Sequence, residues 1–279
     1  MKILLIGKNG MLGSMFFNML SSRGVEFLAV DRPDIDITNI SSIEANLEKF
    51  KPDFVINCAA YTLVDDCESN SDLAFSVNGY ALENLSRACN QFSSTLIHFS
   101  TDYVFDGKNS NGYKEDDKTD PINVYGESKL IGENLIQKIC AKYYIVRTSW
   151  LYGANGNNFV DTMLKIGKEK KEINVVDDQT GSPTYTKDLC EQVLNNFLFN
   201  KNIPDFGVYH ITNSGHTNWC EFSKMIFEKS SYDTKVIPVK SDFINRPAKR
   251  PSCSILINTK LPEIRGFEDA LDDYFTPSP

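Results

Sequence analysis

The sequence predicts an α/β fold built on a doubly wound parallel sheet, and three observations support this prediction. Short apolar segments alternate with helix-length amphipathic segments through the first two-thirds of the 279 residues. A glycine-rich turn separates the first short segment from the first helical one. The short segments are mostly apolar, as strands are when helices cover both faces of a sheet. This alternation implies right-handed strand–helix–strand crossovers around one sheet.

The predicted strands are brief and are bounded by polar residues or glycine. They cover residues 3–6, 27–30, 54–56, 95–99, 144–146 and 173–176. The predicted helices between them follow the 3.6-residue period of an amphipathic helix. They cover residues 11–22, 43–50, 72–91 and 124–141.

The pattern loosens after about residue 150. Helices are predicted at 159–168, 187–199 and 219–229, whereas the proline-containing segment 238–266 shows little regular pattern and is expected to wrap over a cleft. We therefore predict two units. Residues 1–150 form a dinucleotide-binding core to which later segments return, and residues 151–279 form mainly a smaller substrate-binding lobe.

Composition limits the function classes. The net charge of −8 disfavours broad binding to nucleic acid or to an anionic membrane, both of which need a basic face. No apolar stretch approaches the roughly 18 residues of a membrane helix, and Gly7 and Lys8 interrupt the apolar start before it resembles a signal peptide. Seven scattered cysteines without a C-x-x-C pair predict reduced thiols and a cytoplasmic protein.

The three histidines lack metal-ligand spacing, and no metal site is predicted. His98 lies in an apolar run and is expected to be a hydrogen-bonded structural histidine.

The turn Gly7-x-x-Gly10-x-x-Gly13 predicts a Rossmann-like cofactor site, because it follows a strand and opens a helix. Glycine permits a tight turn and a close approach to a pyrophosphate, which the amides at the start of the helix then bind. Asp31 ends the second strand, where a carboxylate can bind the adenosine ribose of NAD. Arg32 and Lys8 are cations able to hold the 2′-phosphate of NADP, so NADH and NADPH both remain open. The residues predicted to contact the cofactor are Gly7, Asn9, Gly10, Met11, Leu12, Gly13, Asp31, Arg32, Asp36, Ile37, Ala59, Ala60 and Tyr61, together with Tyr125 and Lys129.

Tyr125 and Lys129 predict the chemistry of the site. They are four residues apart on a predicted helix, so both side chains project from the same face. A neighbouring cation lowers the pKa of a phenol, which makes Tyr125 a candidate proton donor. Thr101, at the end of the fourth strand, is the third candidate catalytic residue. A tyrosine in this pattern can also be a core aromatic; the glycine turn upstream favours a reductase instead.

Several motifs together resemble the extended short-chain dehydrogenase/reductase family, and within it the dTDP-4-dehydrorhamnose reductases. The motifs are GKNGMLG at 7–13, NCAAYTLVD at 57–65, STDYVFDG at 100–107, PINVYGESK at 121–129, RTSWLYG at 147–153, GNNF at 156–159, DDQTGSPT at 177–184 and Arg250-Pro251. The resemblance covers nearly the whole chain. It implies NAD(P)H-dependent reduction of the C4 ketone of dTDP-4-dehydro-6-deoxy-L-mannose to dTDP-L-rhamnose, a step of polysaccharide biosynthesis.

The resemblance also implies roles for individual residues. Tyr125 gives its proton to the C4 oxygen, Lys129 contacts the nicotinamide ribose, and Thr101 donates a hydrogen bond to the same oxygen. The residues implied to bind the dTDP-sugar are Val64, Asp65, Thr101, Asp102, Tyr103, Trp150, Asn158, Gln179 and Arg250. Trp150 is expected to wall the sugar and Arg250 to grip the diphosphate. Homodimer formation and Mg²⁺ dependence are both known in related reductases. Mg²⁺ dependence stays open because no carboxylate cluster is assignable to a metal. The oligomeric state stays open as well.

Two rival functions remain. An epimerase or dehydratase on the same scaffold keeps its NAD bound, but a dehydratase usually has a glutamate after Thr101-Asp102, where this chain has Tyr103. A non-catalytic regulatory subunit is the other rival. The presence of Thr101, Tyr125 and Lys129 argues against it.

Overall fold

A six-stranded sheet forms the centre of the protein in a computed structural model, which describes residues 1–276. Its strands are β1 (Lys2–Ile6), β2 (Glu26–Val30), β3 (Phe54–Asn57), β4 (Thr95–Thr101), β5 (Tyr143–Thr148) and β10 (Gly207–His210). Every neighbouring pair is parallel, in the order β10-β5-β4-β3-β1-β2. The predicted doubly wound α/β fold is confirmed.

Helices cover both faces of this sheet because the strands are apolar on both sides. Along β1, Ile3 and Leu5 join one core while Leu4 and Ile6 join the other. The first core is covered by α1 (Met11–Ser22), α8 (Thr186–Val193) and a π-helix (Leu194–Leu198). The second is covered by α2 (Ile40–Phe50), α5 (Ala81–Gln91) and α6 (Val124–Ile139).

The helix predicted at 72–91 is divided into three pieces. Before α5 come a short α4 (Ser71–Ala74) and a π-helix (Phe75–Tyr80), and a further short helix, α3 (Val64–Cys67), precedes them. The wider π turn is common at functional sites. Here it contains Asn78, which is buried.

The prediction for residues 173–176 is right as a strand but wrong as part of the main sheet. This strand, β7 (Glu172–Val176), pairs instead with β12 (Lys235–Val239) in a separate two-stranded sheet. The sixth strand of the main sheet is β10, which the sequence analysis missed. Its four residues, Gly-Val-Tyr-His, are too few to show a strand pattern.

The C-terminal segments build a third core around Tyr152, Phe222 and Leu271. Its helices are α7 (Phe159–Glu169), α9 (Trp219–Lys229) and α10 (Phe267–Phe275), and its short strands include β6 (Leu151–Tyr152) and β9 (Thr184–Tyr185). Two more short strands, β8 (Thr180–Gly181) and β11 (Thr217–Asn218), form an antiparallel pair. Residues 186–211 return to the main sheet through α8 and β10. The division into two units at about residue 150 stays a prediction. Between residues 1 and 276 no helix is both long and apolar enough to cross a membrane.

Candidate active site

The candidate site lies where the parallel strands end. The chain leaves β1 at Gly7, β2 at Asp31, β3 at Cys58 and β4 after Thr101, and the shared direction of these strands brings the four exits to one edge. The strand order reverses between β1 and β3, and ligands of doubly wound sheets bind at such a switch point.

Two of the three glycines of the first turn, Gly7 and Gly13, have a steric reason. Gly7 has a φ of 87°, and a Cβ there would lie 2.9 Å from the backbone nitrogen of Ala59. A Cβ on Gly13 would lie 1.9 Å from the carbonyl oxygen of Gly7, so close packing of α1 on β1 requires glycine. Gly10 meets only the Gly7 carbonyl, at 3.5 Å, and faces open space. These glycines leave a cradle that a dinucleotide pyrophosphate fits.

A cavity of about 460 Å³ lies beside this cradle. The predicted cofactor residues that line it are Gly7, Gly10, Asp31, Arg32, Ile37, Ala59, Ala60 and Tyr61; Ile6, Ile35, Cys58, Leu73 and Val77 line it as well and were not predicted. The prediction missed this second group because their side chains look like ordinary core residues in the sequence.

The remaining predicted cofactor residues lie outside that cavity. Leu12 packs into the core below the first turn, and the backbone N–H of Asn9 donates to Asp31 Oδ2 at 2.9 Å. Met11 begins α1, so the amides of residues 11–13 belong to the first turn of the helix, whose N–H groups have no partner inside the helix. These amides, rather than the side chains of Met11 and Leu12, are suited to bind phosphate.

The two cations near Asp31, Arg32 and Lys8, have different bonding partners. Arg32 forms an exposed ion pair with Asp36, 3.2 Å between Nη2 and Oδ2. Hydrogen bonds from Thr38, followed by the Arg32 charge, lower the pKa of Asp36. Lys8 Nζ donates to the carbonyl of Ala29 at 3.3 Å. Arg32 lines the cavity beside the glycine turn, whereas Lys8 does not, so Arg32 is the stronger candidate for holding a 2′-phosphate.

Tyr125 and Lys129 lie one turn apart on α6, facing the end of β4. Lys129 is buried, and its Nζ donates to the carbonyl of Phe99 at 2.6 Å and lies 3.1 Å from His98 Nε2. The Tyr125 ring packs edge-on against Tyr103, with 5.9 Å between ring centroids.

The hydroxyl of Thr101 is already paired. It donates to Asp102 Oδ1 at 2.9 Å and accepts the backbone N–H of Tyr103 at 3.1 Å. Burial raises the pKa of Asp102 to about 6. A ketone oxygen would have to compete with Asp102 for the Thr101 proton.

The predicted lowering of the Tyr125 pKa is wrong for this structure. Burial raises the pKa of the phenol above its ordinary value, the Asp102 carboxylate raises it further, and the Thr101 hydroxyl opposes them. Burial also lowers the pKa of Lys129 to about 8, against the opposing effect of the Glu133 charge. The lysine is thus a weaker cation than the sequence analysis assumed.

Asn78 links the π-helix Phe75–Tyr80 to α6. Its Oδ1 accepts the Tyr61 N–H at 2.8 Å, and its Nδ2 donates to the Tyr61 carbonyl and to Ser128 Oγ. Ser128 Oγ in turn donates to the carbonyl of Tyr125 at 2.8 Å. The π turn therefore holds the end of β3 and α6 in a fixed relation.

A second, larger cavity of about 860 Å³ opens between the sheet edge and the C-terminal lobe. Of the predicted substrate residues it is lined by Val64, Asp65, Tyr103, Asn158, Gln179 and Arg250. One side is apolar and includes Phe159, Met163 and Trp219, whereas Arg246 and Arg250 also line the cavity. It suits an elongated ligand with an aromatic base and an anionic centre.

Comparisons with known proteins agree with this geometry. The family model described as the RmlD substrate binding domain matches residues 1–274. The chain belongs to the RmlD family of dTDP-4-dehydrorhamnose reductases. The solved structure of such a reductase from Clostridium acetobutylicum is 41% identical, covers 98% of each chain and has a TM-score of 0.93. The reductase from Bacillus anthracis, solved in complex with NADP, is 38% identical over 99% of each chain, with a TM-score of 0.94. The Escherichia coli reductase is 36% identical over 93% of this chain and 90% of its own.

In this RmlD-family chain, Trp150, which was predicted to wall the sugar, does not line the larger cavity. Its ring stacks on Trp219 with centroids 3.4 Å apart, and a Cβ on Gly181 would lie 2.5 Å from it. Trp219 lines the cavity instead. The sequence contained one hint, since Trp150 and Trp219 are the two tryptophans of the chain. Their stacking could not be predicted, because it joins segments 69 residues apart.

Asn158 and Gln179, two further residues predicted to bind the substrate, form hydrogen bonds within this RmlD-family chain. Asn158 caps α7: its Oδ1 accepts the Asp161 N–H at 2.9 Å and its Nδ2 donates to the carbonyl of Gly153 at 2.9 Å. Gln179 Nε2 donates to Ser241 Oγ at 2.9 Å. Both line the substrate cavity, although their polar atoms are already engaged.

The guanidinium of Arg250 is paired rather than free. It forms a two-pronged ion pair with Asp65, with Nη2 at 2.8 Å from Oδ2, and Nη1 also donates to the Ala248 carbonyl. Arg246, which the sequence analysis missed, lines the same cavity and is exposed. In the part of the chain that the structure describes, no cluster of three or more side chains could hold a metal ion.

Proposed function

We propose that this protein reduces the C4 ketone of dTDP-4-dehydro-6-deoxy-L-mannose to dTDP-L-rhamnose with NADPH or NADH. One observation carries the proposal: consecutive residues line the two cavities. Tyr61 lines the cavity beside the glycine turn, and Thr62 lines the larger cavity. Tyr125 packs against Tyr103 of the larger cavity. This contact supports a role for the Tyr125 phenol where a nicotinamide and a sugar would meet.

The relatives support the same assignment. The similar proteins from three bacteria are named dTDP-4-dehydrorhamnose reductases, and the one from Bacillus anthracis was solved with NADP. Bound dihydronicotinamide would supply a hydride to C4 of the sugar. The residues proposed to hold the cofactor are those of the first cavity, the amides of residues 11–13 and Lys129.

Tyr125 acts as the general acid in this proposal. Its raised pKa keeps the phenol protonated at neutral pH, which is the form that a reduction requires. Thr101 donates to the developing alkoxide once the ketone oxygen displaces Asp102 from its hydroxyl. Arg246 and Arg250 provide the positive charge for the diphosphate.

The function is tested by mixing purified protein with dTDP-4-dehydro-6-deoxy-L-mannose and either NADPH or NADH. We expect one reduced cofactor to be consumed for each dTDP-L-rhamnose formed. An epimerase would convert the sugar without net loss of NAD(P)H, and a regulatory subunit would form no product. Either result would reject the proposal.

Replacement of Asp31 by alanine should weaken NADH binding more than NADPH binding. The carboxylate is proposed to bind the ribose hydroxyl that NADPH lacks, since that position carries its phosphate. Dissociation constants of both cofactors for the wild type and the variant measure the difference. Equal losses would mean that Asp31 acts only through its hydrogen bond with Asn9.

Replacement of Arg246 by glutamine should raise KM for the dTDP-sugar roughly tenfold and leave kcat nearly unchanged, as expected for a charge-assisted contact worth about 1.5 kcal/mol. Lys249→Gln is the matched control, because it removes the same charge from the same exposed segment but does not line the large cavity. Competitive inhibition by dTDP should weaken in parallel. Equal effects of the two variants would show only a loss of general electrostatic attraction.

Cytoplasmic location and oligomeric state are also proposals. All seven cysteines, each within the described residues, are free thiols, which favours a reducing compartment. A homodimer is proposed on the family resemblance, and sedimentation of the purified protein would decide it.

A further inference from the structure

Asn123 lies at the start of the helix that carries Tyr125, and the sequence analysis assigned it no role. It is the N-cap of α6 and is 8% exposed. Its Oδ1 accepts the backbone N–H of Gly126 at 2.8 Å, and its Nδ2 donates to the backbone carbonyl of Lys249 at 2.7 Å. One side chain thus joins α6 to a segment 126 residues further along the chain.

The two backbone partners fix the orientation of this amide. A backbone N–H can only donate, so the atom that faces Gly126 must be the side-chain carbonyl oxygen. A backbone carbonyl can only accept, so the atom that faces Lys249 must be the NH₂ group. Turning the amide over would place two donors face to face at one end and two acceptors at the other. The pair of contacts therefore suits an amide and not a carboxylate.

An N-cap alone does not require asparagine, since serine, threonine and aspartate also accept from the first turn of a helix. Asn39 provides a simpler example, because its Oδ1 accepts the N–H groups of Ser41 and Ser42 at the start of α2. At Asn123 the nitrogen of the amide is used as well, and it reaches the segment 248–250. This second contact is what distinguishes Asn123 from an ordinary N-cap.

The segment 248–250 is held from another side by Asp65 of α3. Asp65 Oδ1 accepts the backbone N–H of Ala248 at 3.2 Å, and the carboxylate pairs with the guanidinium of Arg250. Arg250 lines the larger cavity, and its side chain is 9% exposed. The carbonyl of Lys249, between these two residues in the chain, is bound from α6. The position of the Arg250 guanidinium therefore depends on contacts with both helices.

Two further contacts fix the first turn of α6. Glu68, which follows α3, accepts the backbone N–H of Val124 at 3.0 Å through its Oε1. A Cβ on Gly126 would lie 2.1 Å from the carbonyl oxygen of Tyr103, so the turn packs closely on the segment after β4. These contacts join the turn to elements near the sheet edge, whereas Asn123 joins it to the segment of the cavity arginine.

We propose that Asn123 is a positioning residue for recognition of the substrate diphosphate. It acts through the backbone of Lys249 and not on the substrate, and it holds Arg250 in a fixed relation to the helix of Tyr125. This inference rests on the proposed function, in which Tyr125 protonates the sugar and Arg250 provides charge for the diphosphate.

Hydrogen–deuterium exchange of the full chain tests the contact without any ligand. Asn123→Ser keeps an oxygen that can cap α6, but it has no amide to bind the Lys249 carbonyl. We expect faster deuterium uptake in peptides covering residues 245–250 and unchanged uptake in peptides of α6. Asn39→Ser is the matched control, because it changes the N-cap of α2 in the same way, and it should alter neither region. Unchanged uptake at residues 245–250 in folded Asn123→Ser would overturn the proposal.

Binding of dTDP and of NADPH to the same proteins measures the effect on the two cavities. The dissociation constant of dTDP should rise roughly fivefold in Asn123→Ser, the usual effect of one hydrogen bond, whereas that of NADPH should change little. A purely structural role in α6 would not separate the two ligands. An equal change for both ligands, or no change for either, would overturn the proposal.

Asn123→Asp takes the place of the serine variant if that variant does not fold. Its carboxylate can cap the helix, where the N-terminal dipole favours a negative charge, but it cannot donate to the Lys249 carbonyl. The same rise in uptake at residues 245–250 is expected, and its absence would count equally against the proposal. Failure of the wild type to reduce the sugar would reject the proposed function, whereas the exchange and dTDP-binding results would still decide the role of Asn123.

Discussion

Replacement of Tyr125 by phenylalanine is expected to lower kcat about 10²–10⁴-fold, the range of general acid catalysis. The variant loses a single hydroxyl and keeps the ring that packs against Tyr103. The dissociation constant of NAD(P)H should therefore change little. Steady-state kinetics and cofactor titration on the same preparations measure both quantities.

Tyr143→Phe is the matched control for this substitution. Tyr143 begins β5, so it lies at the opposite end of the parallel strands from the candidate site. The control should keep nearly full turnover. Near-normal turnover of Tyr125→Phe would remove Tyr125 from the proposed mechanism, and a large loss in the control would indicate a general effect of removing tyrosine hydroxyls.

Replacement of Glu133 by glutamine is expected to lower the free energy of unfolding by about 3–5 kcal/mol, the usual cost of leaving a buried charge unpaired. Glu133 is 0% exposed and Arg147 is 4% exposed. Two guanidinium nitrogens of Arg147 donate to this carboxylate, with Nη2 at 2.6 Å and Nε at 3.0 Å. Denaturant unfolding of both proteins measures the difference.

Glu83→Gln is its control. Glu83 pairs with Arg87 at 2.7 Å on the surface of α5, with side chains 40% and 62% exposed. Such a pair contributes at most about 1 kcal/mol, since water and salt screen it. Equal losses of unfolding free energy in the two variants would mean that burial does not increase the contribution of the Glu133–Arg147 pair to stability.

The sequence was sufficient to predict the main sheet and its glycine turn. Residues 3–6 are apolar throughout and residues 95–99 are mostly apolar, and this local property does not depend on distant parts of the chain. The sequence was insufficient to predict β10, because four residues beginning with glycine carry little periodicity. It was also insufficient to predict which sheet residues 173–176 join. Which sheet a strand joins depends on partners distant in the chain, here residues 235–239.

The same holds for the candidate site. Features of a single segment could be predicted from the sequence, whereas contacts between distant segments could not. The helical spacing of Tyr125 and Lys129 placed both on one face of α6, as predicted. The stacking of Trp150 on Trp219 and the pairing of Arg250 with Asp65 could not be predicted, because each joins distant segments. The pKa of Tyr125 was predicted in the wrong direction, since spacing shows that a lysine is near but not that the phenol itself is buried beside Asp102.

Transfer of deuterium tests the central claim most directly. Purified protein is given dTDP-4-dehydro-6-deoxy-L-mannose with NADPH or NADH deuterated at the transferable position of the nicotinamide. Direct hydride transfer beside the Tyr125 phenol predicts dTDP-L-rhamnose with one deuterium, at C4 of the sugar. A product without deuterium at C4, or conversion of the sugar without oxidation of the cofactor, would contradict the account.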